Sequence, residues 1–228
     1  MPDYVIPAPV QPSLPTAGST ARFPVRRIFC VGRNYADHAR EMGHDPDAEP
    51  PFFFTKPADA LVMDGARIPY PPATIDVHHE AELVVAIGFG GTDIAETRAL
   101  DHVWGYAAGN DLTRRDLQAA AKAARRPWDM AKGFDHSAVV GTLHPATPGQ
   151  MLNGRITCRV DGVLRQDAQL CEMIWPVAAV IAFLSRLVAL QPGDLIFTGT
   201  PAGVGTIAQG QTCEVEIEGL TPARVTLI

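Results

Sequence analysis

The chain has 228 residues and a formal net charge of −6, from 19 basic and 25 acidic residues. This length suits one domain with a sizeable core, and the acidic balance predicts no binding to nucleic acid or to an anionic membrane surface. No stretch has the pattern of a secretory signal, and the four cysteines form no C-x-x-C pair. We therefore expect a cytoplasmic protein with reduced thiols.

The first 24 residues contain six prolines among small polar residues. Proline lacks a backbone N–H and disrupts helices, so this segment predicts an extended arm that wraps the domain or a partner subunit. The remainder, residues 25–228, has no repeat, charge block or linker that would divide it. We expect it to form one domain.

A strand at residues 28–31 is followed by a predicted short helix at 35–42, which Gly43 would end. His38 and Glu41 are three residues apart, so they share one helix face. On a surface helix such a pair is commonly a solvated ion pair. The polar, proline-bounded segment that follows, residues 44–51, instead favours a mobile edge that folds over a site.

Residues 52–57 return to the core as a strand, on which Lys56 is either an edge residue that reaches solvent or a pocket cation. We favour the edge position.

Two acids, Glu80 and Glu82, precede an apolar run at residues 83–87 that reads as a buried strand. Side chains two apart on a strand share a face. The alternative is the solvated face of an edge strand, which is the usual place for such a pair. Asp111 closes a second predicted strand, and three carboxylates without a cysteine or clear histidine ligand set favour Mg²⁺ or Mn²⁺.

Further helices are predicted at residues 93–102, 114–125 and 173–190, with a D-G hairpin at 156–166. The last helix is apolar, but Pro176, Ser185 and Arg186 interrupt it, so we interpret it as a core or interface helix. Lys132 lies between apolar residues and a glycine, where burial beside carboxylates is plausible, although a surface position is commoner. The coarse pattern is α+β, built on a curved sheet or barrel.

A glycine-rich loop at residues 198–205 follows a predicted buried strand. It lacks the ending of a phosphate-binding P-loop, but its backbone amides and Thr200 are suited to a carboxylate.

Four stretches, at residues 30–38, 79–83, 110–116 and 197–205, resemble the fumarylacetoacetate hydrolase family in order and spacing. Within it the chain looks most like the bacterial fumarylpyruvate hydrolases of gentisate breakdown and the acylpyruvases. The resemblance implies a mixed β-sandwich roll with short peripheral helices, usually a homodimer.

The resemblance also implies site residues. It places Mg²⁺ or Mn²⁺ on Glu80, Glu82 and Asp111, and a His38–Glu41 dyad on a lid. Its substrate-contacting positions match Lys132, Gln118, Arg115 and Thr200. Arg33, Arg115 and Lys56 are candidates for a substrate's far carboxylate, because arginine forks and ammonium groups suit such anions.

The implied reaction is metal-dependent hydrolysis of the C–C bond in a small 2,4-dioxo acid, with fumarylpyruvate giving fumarate and pyruvate. Oxaloacetate decarboxylation and isomerisation of unsaturated dioxo acids use the same chelating site and stay open as alternatives. A non-catalytic metal- or ligand-binding protein is a further alternative. His38 and Glu41 argue against it, because a binding module needs no base.

Overall fold

The computed structural model describes residues 3–41, 50–147, 149 and 153–228. Short strands predominate in these ranges. In chain order they are β1 (Ser13–Pro15), β2 (Arg22–Pro24), β3 (Arg27–Gly32), β4 (Phe52–Lys56), β5 (Leu61–Met63), β6 (Ala66–Ile68), β7 (Val77–His79), β8 (Ala81–Ile87), β9 (Val103–Asp111), β10 (Thr113–Arg114), β11 (Ala138–Val140), β12 (His144–Pro145), β13 (Arg155–Val160), β14 (Val163–Gln169), β15 (Asp194–Phe197), β16 (Gly205–Thr206), β17 (Thr212–Ile217) and β18 (Ala223–Leu227).

The helices in the same ranges are short and lie between strands. They are α1 (Ala36–Glu41), α2 (Arg115–Ala123), α3 (Asp129–Lys132) and α4 (Val177–Leu187), with 3₁₀ turns at Ala58–Ala60, Glu96–His102 and Leu170–Glu172. No helix of the described residues is long and apolar enough to cross a membrane.

The strands form mixed sheets, as the α+β prediction requires. The large sheet has the order β4-β3-β15-β8-β9-β11-β5, with β12 added to β9. A second sheet has the order β14-β13-β17-β18-β6, and β10-β7-β16 and β1-β2 form two small ones. The apolar faces of the two larger sheets enclose the main core, in which β9 and β8 contact β17 and β13.

Strand β8 is buried along its whole length, because both of its faces are covered. Leu83, Val85 and Ile87 belong to the main core, whereas Val84 and Ala86 belong to a second cluster behind the sheet. A continuous apolar run of this kind is what a central, doubly covered strand requires. Burial of this strand fixes the depth at which the acids at its start lie.

The second cluster is covered by the N-terminal hairpin. Leu14 and Phe23 pair across β1 and β2, and both are buried. The described residues before this hairpin, from Asp3, form no helix, and Tyr4 and Val5 are exposed. Part of the predicted arm is thus a hairpin packed on the domain, and its separation from residues 25–228 stays a prediction.

Two predicted helices begin later than expected. Asp93 has a φ of 46°, a left-handed conformation that excludes it from a helix, and the 3₁₀ turn begins at Glu96. Helix α4 begins at Val177 because Pro176, with a fixed φ and no N–H, is tolerated only at a helix start. The predicted end of α1 and most of the loop that follows, residues 42–49, lie outside the described residues.

Candidate active site

Three buried carboxylates converge where β8 begins and β9 ends. Ala81 pairs with Asn110 and Glu82 with Gly109, so the antiparallel register sets Glu80 opposite Asp111. The Asp111 N–H donates to the Glu80 carbonyl at 2.9 Å. One oxygen of Glu80, Glu82 and Asp111 can be chosen so that all three lie within 4.8 Å of one another. The period of the strand therefore brings the predicted acids together.

Three basic groups neutralise this acidic cluster. The Lys132 Nζ lies 2.7 Å from an oxygen of Glu80 and 2.7 Å from one of Asp111. Arg115 donates to the second Glu80 oxygen at 2.5 Å, and the Lys56 Nζ lies 2.7 Å from Asp111. Buried charges persist only when they are paired, and Glu80 and Asp111 each pair with two of these cations.

The charges shift one another's pKa values. Burial alone would raise the pKa of Glu80, but Lys132 and Arg115 hold it well below its usual range. Burial, with the charges of Asp111 and Glu80, raises the pKa of Glu82. Burial alone would lower the pKa of Lys132, but Asp111 and Glu80 raise it. The like charges around Glu82 are what a bound cation would relieve.

Lys56 is not the solvent-reaching edge residue that we predicted. It is 2% exposed and bonds to Asp111, to the Leu112 carbonyl at 3.1 Å and, over a short distance, to the Lys132 carbonyl. It therefore lies behind Asp111. The alternative expectation, a surface position for Lys132, is also wrong, because Lys132 is 2% exposed at the end of α3.

The glycine-rich loop binds the third carboxylate, that of Glu82, through a backbone amide. The Gly199 N–H donates to Glu82 at 2.7 Å. Gly199 has a φ of +92°, and a Cβ there would lie 2.6 Å from the Cβ of Asn34. Asn34, fully buried, donates to the Thr198 carbonyl at 2.7 Å and to the Trp175 carbonyl at 2.9 Å, and accepts from the Trp175 N–H at 2.7 Å. Only glycine fits this turn.

The predicted dyad lies on α1. The Nδ1 of His38 is 3.2 Å from Glu41, and the Gly203 N–H donates weakly to the same carboxylate at 3.3 Å. Burial lowers the pKa of His38 below its ordinary value, against the opposing effects of Glu80 and Glu41. The imidazole is consequently neutral near pH 7 and can accept a proton.

One pocket brings most of the predicted residues together. Its lining includes Arg33, His38, Glu80, Glu82, Arg115, Gln118, Lys132 and Thr200. Asp111 lies behind this lining, fully buried, and Glu41 reaches the pocket only through His38. The cavity volume is about 30 Å³, and a larger cavity of about 470 Å³ adjoins it across Phe52, Phe54, Trp128 and Lys132.

Sequence reasoning missed several supporting residues. Gln166 of β14 bonds to His79 Nδ1 at 2.9 Å, to the Ala81 N–H at 3.0 Å and to Thr200 at 2.7 Å, so it ties the acidic strand to the glycine-rich loop. Lys122, Phe52 and Trp128 also line the pocket. The helical spacing of Arg115, Gln118 and Lys122 is the one signal that points to any of them.

Residues 27–228 match the fumarylacetoacetate hydrolase C-terminal domain family. The chain belongs to the fumarylacetoacetate hydrolase family. A crystal structure of fumarylpyruvate hydrolase from Pseudomonas aeruginosa, in complex with Mn²⁺ and pyruvate, is 48% identical with a TM-score of 0.96, over 99% of each chain. Fumarylpyruvate hydrolase of a Ralstonia species is 41% identical, over 80% of this chain and 95% of the relative.

A mitochondrial oxaloacetate decarboxylase of Dictyostelium discoideum is also 41% identical, over 86% of this chain and 90% of the relative. The predicted family and its mixed-sheet fold are thereby confirmed. Two of these relatives are named fumarylpyruvate hydrolase and the third is named oxaloacetate decarboxylase, so family membership alone does not fix the substrate.

The acidic triad fits the divalent ion that we predicted. Three buried carboxylates, with one oxygen of each within 4.8 Å of the others, offer the oxygen ligands that Mg²⁺ and Mn²⁺ prefer. Burial and the like charges of its neighbours raise the pKa of Glu82, and a cation bound beside it would oppose this effect.

Proposed function

We propose that the protein is a metal-dependent hydrolase that cleaves the C3–C4 bond of a 2,4-dioxo acid, with fumarylpyruvate giving fumarate and pyruvate. The observation that carries this proposal is one pocket lined by both Glu80 and Glu82 and the buried imidazole of His38. A chelating acid site and a general base are the two parts that the reaction needs.

In this proposal Glu80, Glu82 and Asp111 hold Mg²⁺ or Mn²⁺. A divalent ion held there would supply Lewis-acid stabilisation of the negative charge that develops on the substrate. Lys56, Arg115 and Lys132 already balance the three carboxylates, so a divalent ion leaves the pocket positive. A positive pocket suits an anionic substrate and the negative charge that develops on C–C cleavage.

His38 acts as the general base. Its Nδ1 contacts Glu41 at 3.2 Å, which fixes the tautomer and leaves Nε2 to draw a proton from water attacking C4. Lys132 and Gln118 stabilise the developing negative charge, and Thr200 and the arginines bind substrate oxygens. Cleavage then leaves the enolate of pyruvate and the acid that carries the former C4.

Oxaloacetate decarboxylation is the second candidate, and the name of the Dictyostelium relative favours it. That reaction, like an isomerisation, uses the metal and the enolate but no attacking water. The His38–Glu41 dyad favours hydrolysis, because only hydrolysis needs a base that deprotonates an attacking water.

The test measures pyruvate release from fumarylpyruvate, acetylpyruvate and oxaloacetate with Mg²⁺ present, and identifies the second product. We expect fumarylpyruvate to have the highest kcat/KM and to yield fumarate. If oxaloacetate has the highest value, the lyase function replaces this one. An isomerised product without pyruvate would assign the protein to the isomerases.

A further inference from the structure

Two cations line the pocket beyond the acidic cluster, each against an aromatic ring. The guanidinium carbon of Arg33 lies 5.0 Å from the ring centre of Phe52, and the Lys122 Nζ lies 5.1 Å from that of Trp128. The two rings meet edge to face, with centres 5.6 Å apart at 82°. All four residues line the same pocket as Glu80. Together they form a cationic, aromatic-walled end of the pocket.

Helix α2 sets the direction of this arrangement. Arg115, Gln118 and Lys122 are spaced by three and four residues, so they lie on one helix face, and all three line the pocket. Arg115 bonds to Glu80, whereas Lys122 lies about 10 Å further along the axis at 1.5 Å per residue. The face thus runs from the carboxylates toward the aromatic walls.

The charge on Lys122 lacks an acidic partner nearby. Among the residues that the structure describes, no carboxylate oxygen lies within 4.0 Å of its ammonium group. Burial lowers the pKa of Lys122, and the like charges of Arg115 and Arg33 lower it further, against the opposing effect of Glu80. A half-buried ammonium group among cations is stabilised by an anion, and the neighbouring aromatic faces suit a flat, conjugated chain.

We propose that Lys122, with Arg33, binds the distal carboxylate of a dioxo acid whose acyl chain lies along the pocket wall that Phe52 and Trp128 form. This rests on the proposed function and deepens it, because it names the residues that distinguish a dicarboxylic substrate from a monocarboxylic one. Lys122 is then a specificity-determining residue: a substrate that ends in a methyl group gains nothing from it.

The larger adjoining cavity, which Arg126 lines, offers a second route for the acyl chain of the substrate. Arg126 is exposed, whereas Lys122 is half-buried in the wall of the pocket that also contains Glu80. Charge-assisted hydrogen bonds are stronger where solvent is excluded, so Lys122 is the better anchor. Arg126 supplies a matched control, since it is a cation four residues away on the wall of the other cavity.

The experiment compares kcat/KM for fumarylpyruvate and acetylpyruvate in wild type, Lys122→Met, Lys122→Arg and Arg126→Met. Methionine keeps an apolar stem against Trp128 and removes the charge. We expect Lys122→Met to lower the ratio of fumarylpyruvate to acetylpyruvate kcat/KM by about ten- to a hundredfold, the usual effect of losing a charge-assisted hydrogen bond. Lys122→Arg should recover most of the ratio, and Arg126→Met should keep it.

A second readout is independent of turnover. The dissociation constant for fumarate should increase in Lys122→Met by a larger factor than the dissociation constant for pyruvate. Equal losses on both substrates, or a selective loss in Arg126→Met, would overturn the assignment. If wild type hydrolyses neither dioxo acid, the proposed function fails, and the fumarate measurement alone then decides whether Lys122 binds a distal carboxylate.

Discussion

Lys132 and Lys56 bring positive charge into a region where three carboxylates are buried. Neither position could be predicted from its neighbours in sequence. Lys56 ends a strand and Lys132 ends a four-residue helix, and both patterns are typical of exposed lysines. Burial is decided by Asp111, 55 residues from Lys56 and 21 from Lys132 in the numbering, so the reason lies in tertiary pairing. The acids themselves were predictable because the strand period fixes their shared face.

We expect activity to require a divalent ion bound by Glu80, Glu82 and Asp111. Chelation should abolish turnover and Mg²⁺ or Mn²⁺ should restore it, because the enolate then loses and regains its stabilising cation. Glu82→Gln should weaken Mn²⁺ binding by at least about tenfold, since a charged oxygen ligand is lost. Calorimetry with Mn²⁺ measures this effect directly. Glu216→Gln, at an exposed glutamate of β17, is the control; full activity without a divalent ion would contradict the site.

His38→Ala should lower kcat by about 10²- to 10⁴-fold, the usual contribution of a positioned general base, with Mn²⁺ binding retained. Steady-state kinetics and Mn²⁺ titration check the two parts. Loss of substrate binding with an unchanged kcat would make His38 a contact residue instead.

The pH profile tests the same role. The base works as neutral imidazole, which is present above its pKa. Burial lowers the pKa of His38 from the ordinary 6.5, so the acidic limb of kcat/KM should have its midpoint below pH 6.5. His38→Ala should remove that limb, and a limb that persists in the variant would have to come from another group.

The site depends on two loops that are hydrogen-bonded to each other, one after β3 and one after β15. Strand β3 leads into α1 through Asn34, and β15 leads into the glycine-rich loop through Thr198, to which Asn34 bonds. The strands on either side were predictable from their apolar runs. The hydrogen bonds of Asn34 were not predictable, because the sequence around a loop asparagine does not indicate which distant carbonyls its side chain will contact.

Asn34→Ala should destabilise the fold by about 3 kcal/mol, because it leaves buried carbonyls and an N–H without partners. It should also lower activity, since Gly199 can no longer be held against Glu82. Thermal unfolding and kcat are the measurements. Asn153→Ala, at an exposed asparagine, is the matched control, and equal melting temperatures for the two variants would show that the tie contributes little.

At the scale of the whole molecule, the homodimer remains a prediction. The segment before β1 exposes Tyr4, Val5, Ile6 and Val10, an apolar set that suits contact with a second copy. We expect light scattering to give twice the mass of the chain. Removal of residues 1–12 should weaken the dimer while β1 and β2 still cover the core, and a full-length monomer would contradict the prediction.

The sheet order of the whole molecule was only partly accessible from sequence. Strand positions and the D-G hairpin followed from local patterns, and the hairpin pairs β13 with β14 as expected. The arrangement of β3 beside β15, which are more than 160 residues apart, depends on long-range pairing that apolar strands do not specify individually. Resemblance to a family supplied what periodicity could not.

The ammonium group of Lys132 also affects how the protein acquires its ion. It contacts oxygens of both Glu80 and Asp111, so an incoming divalent ion competes with an internal cation for the same ligands. The net affinity is then the difference between two favourable arrangements, and is weaker than three carboxylates alone would give. Metal uptake in such a site is a reversible exchange, and the active fraction of the protein follows the free Mg²⁺ or Mn²⁺ concentration around it.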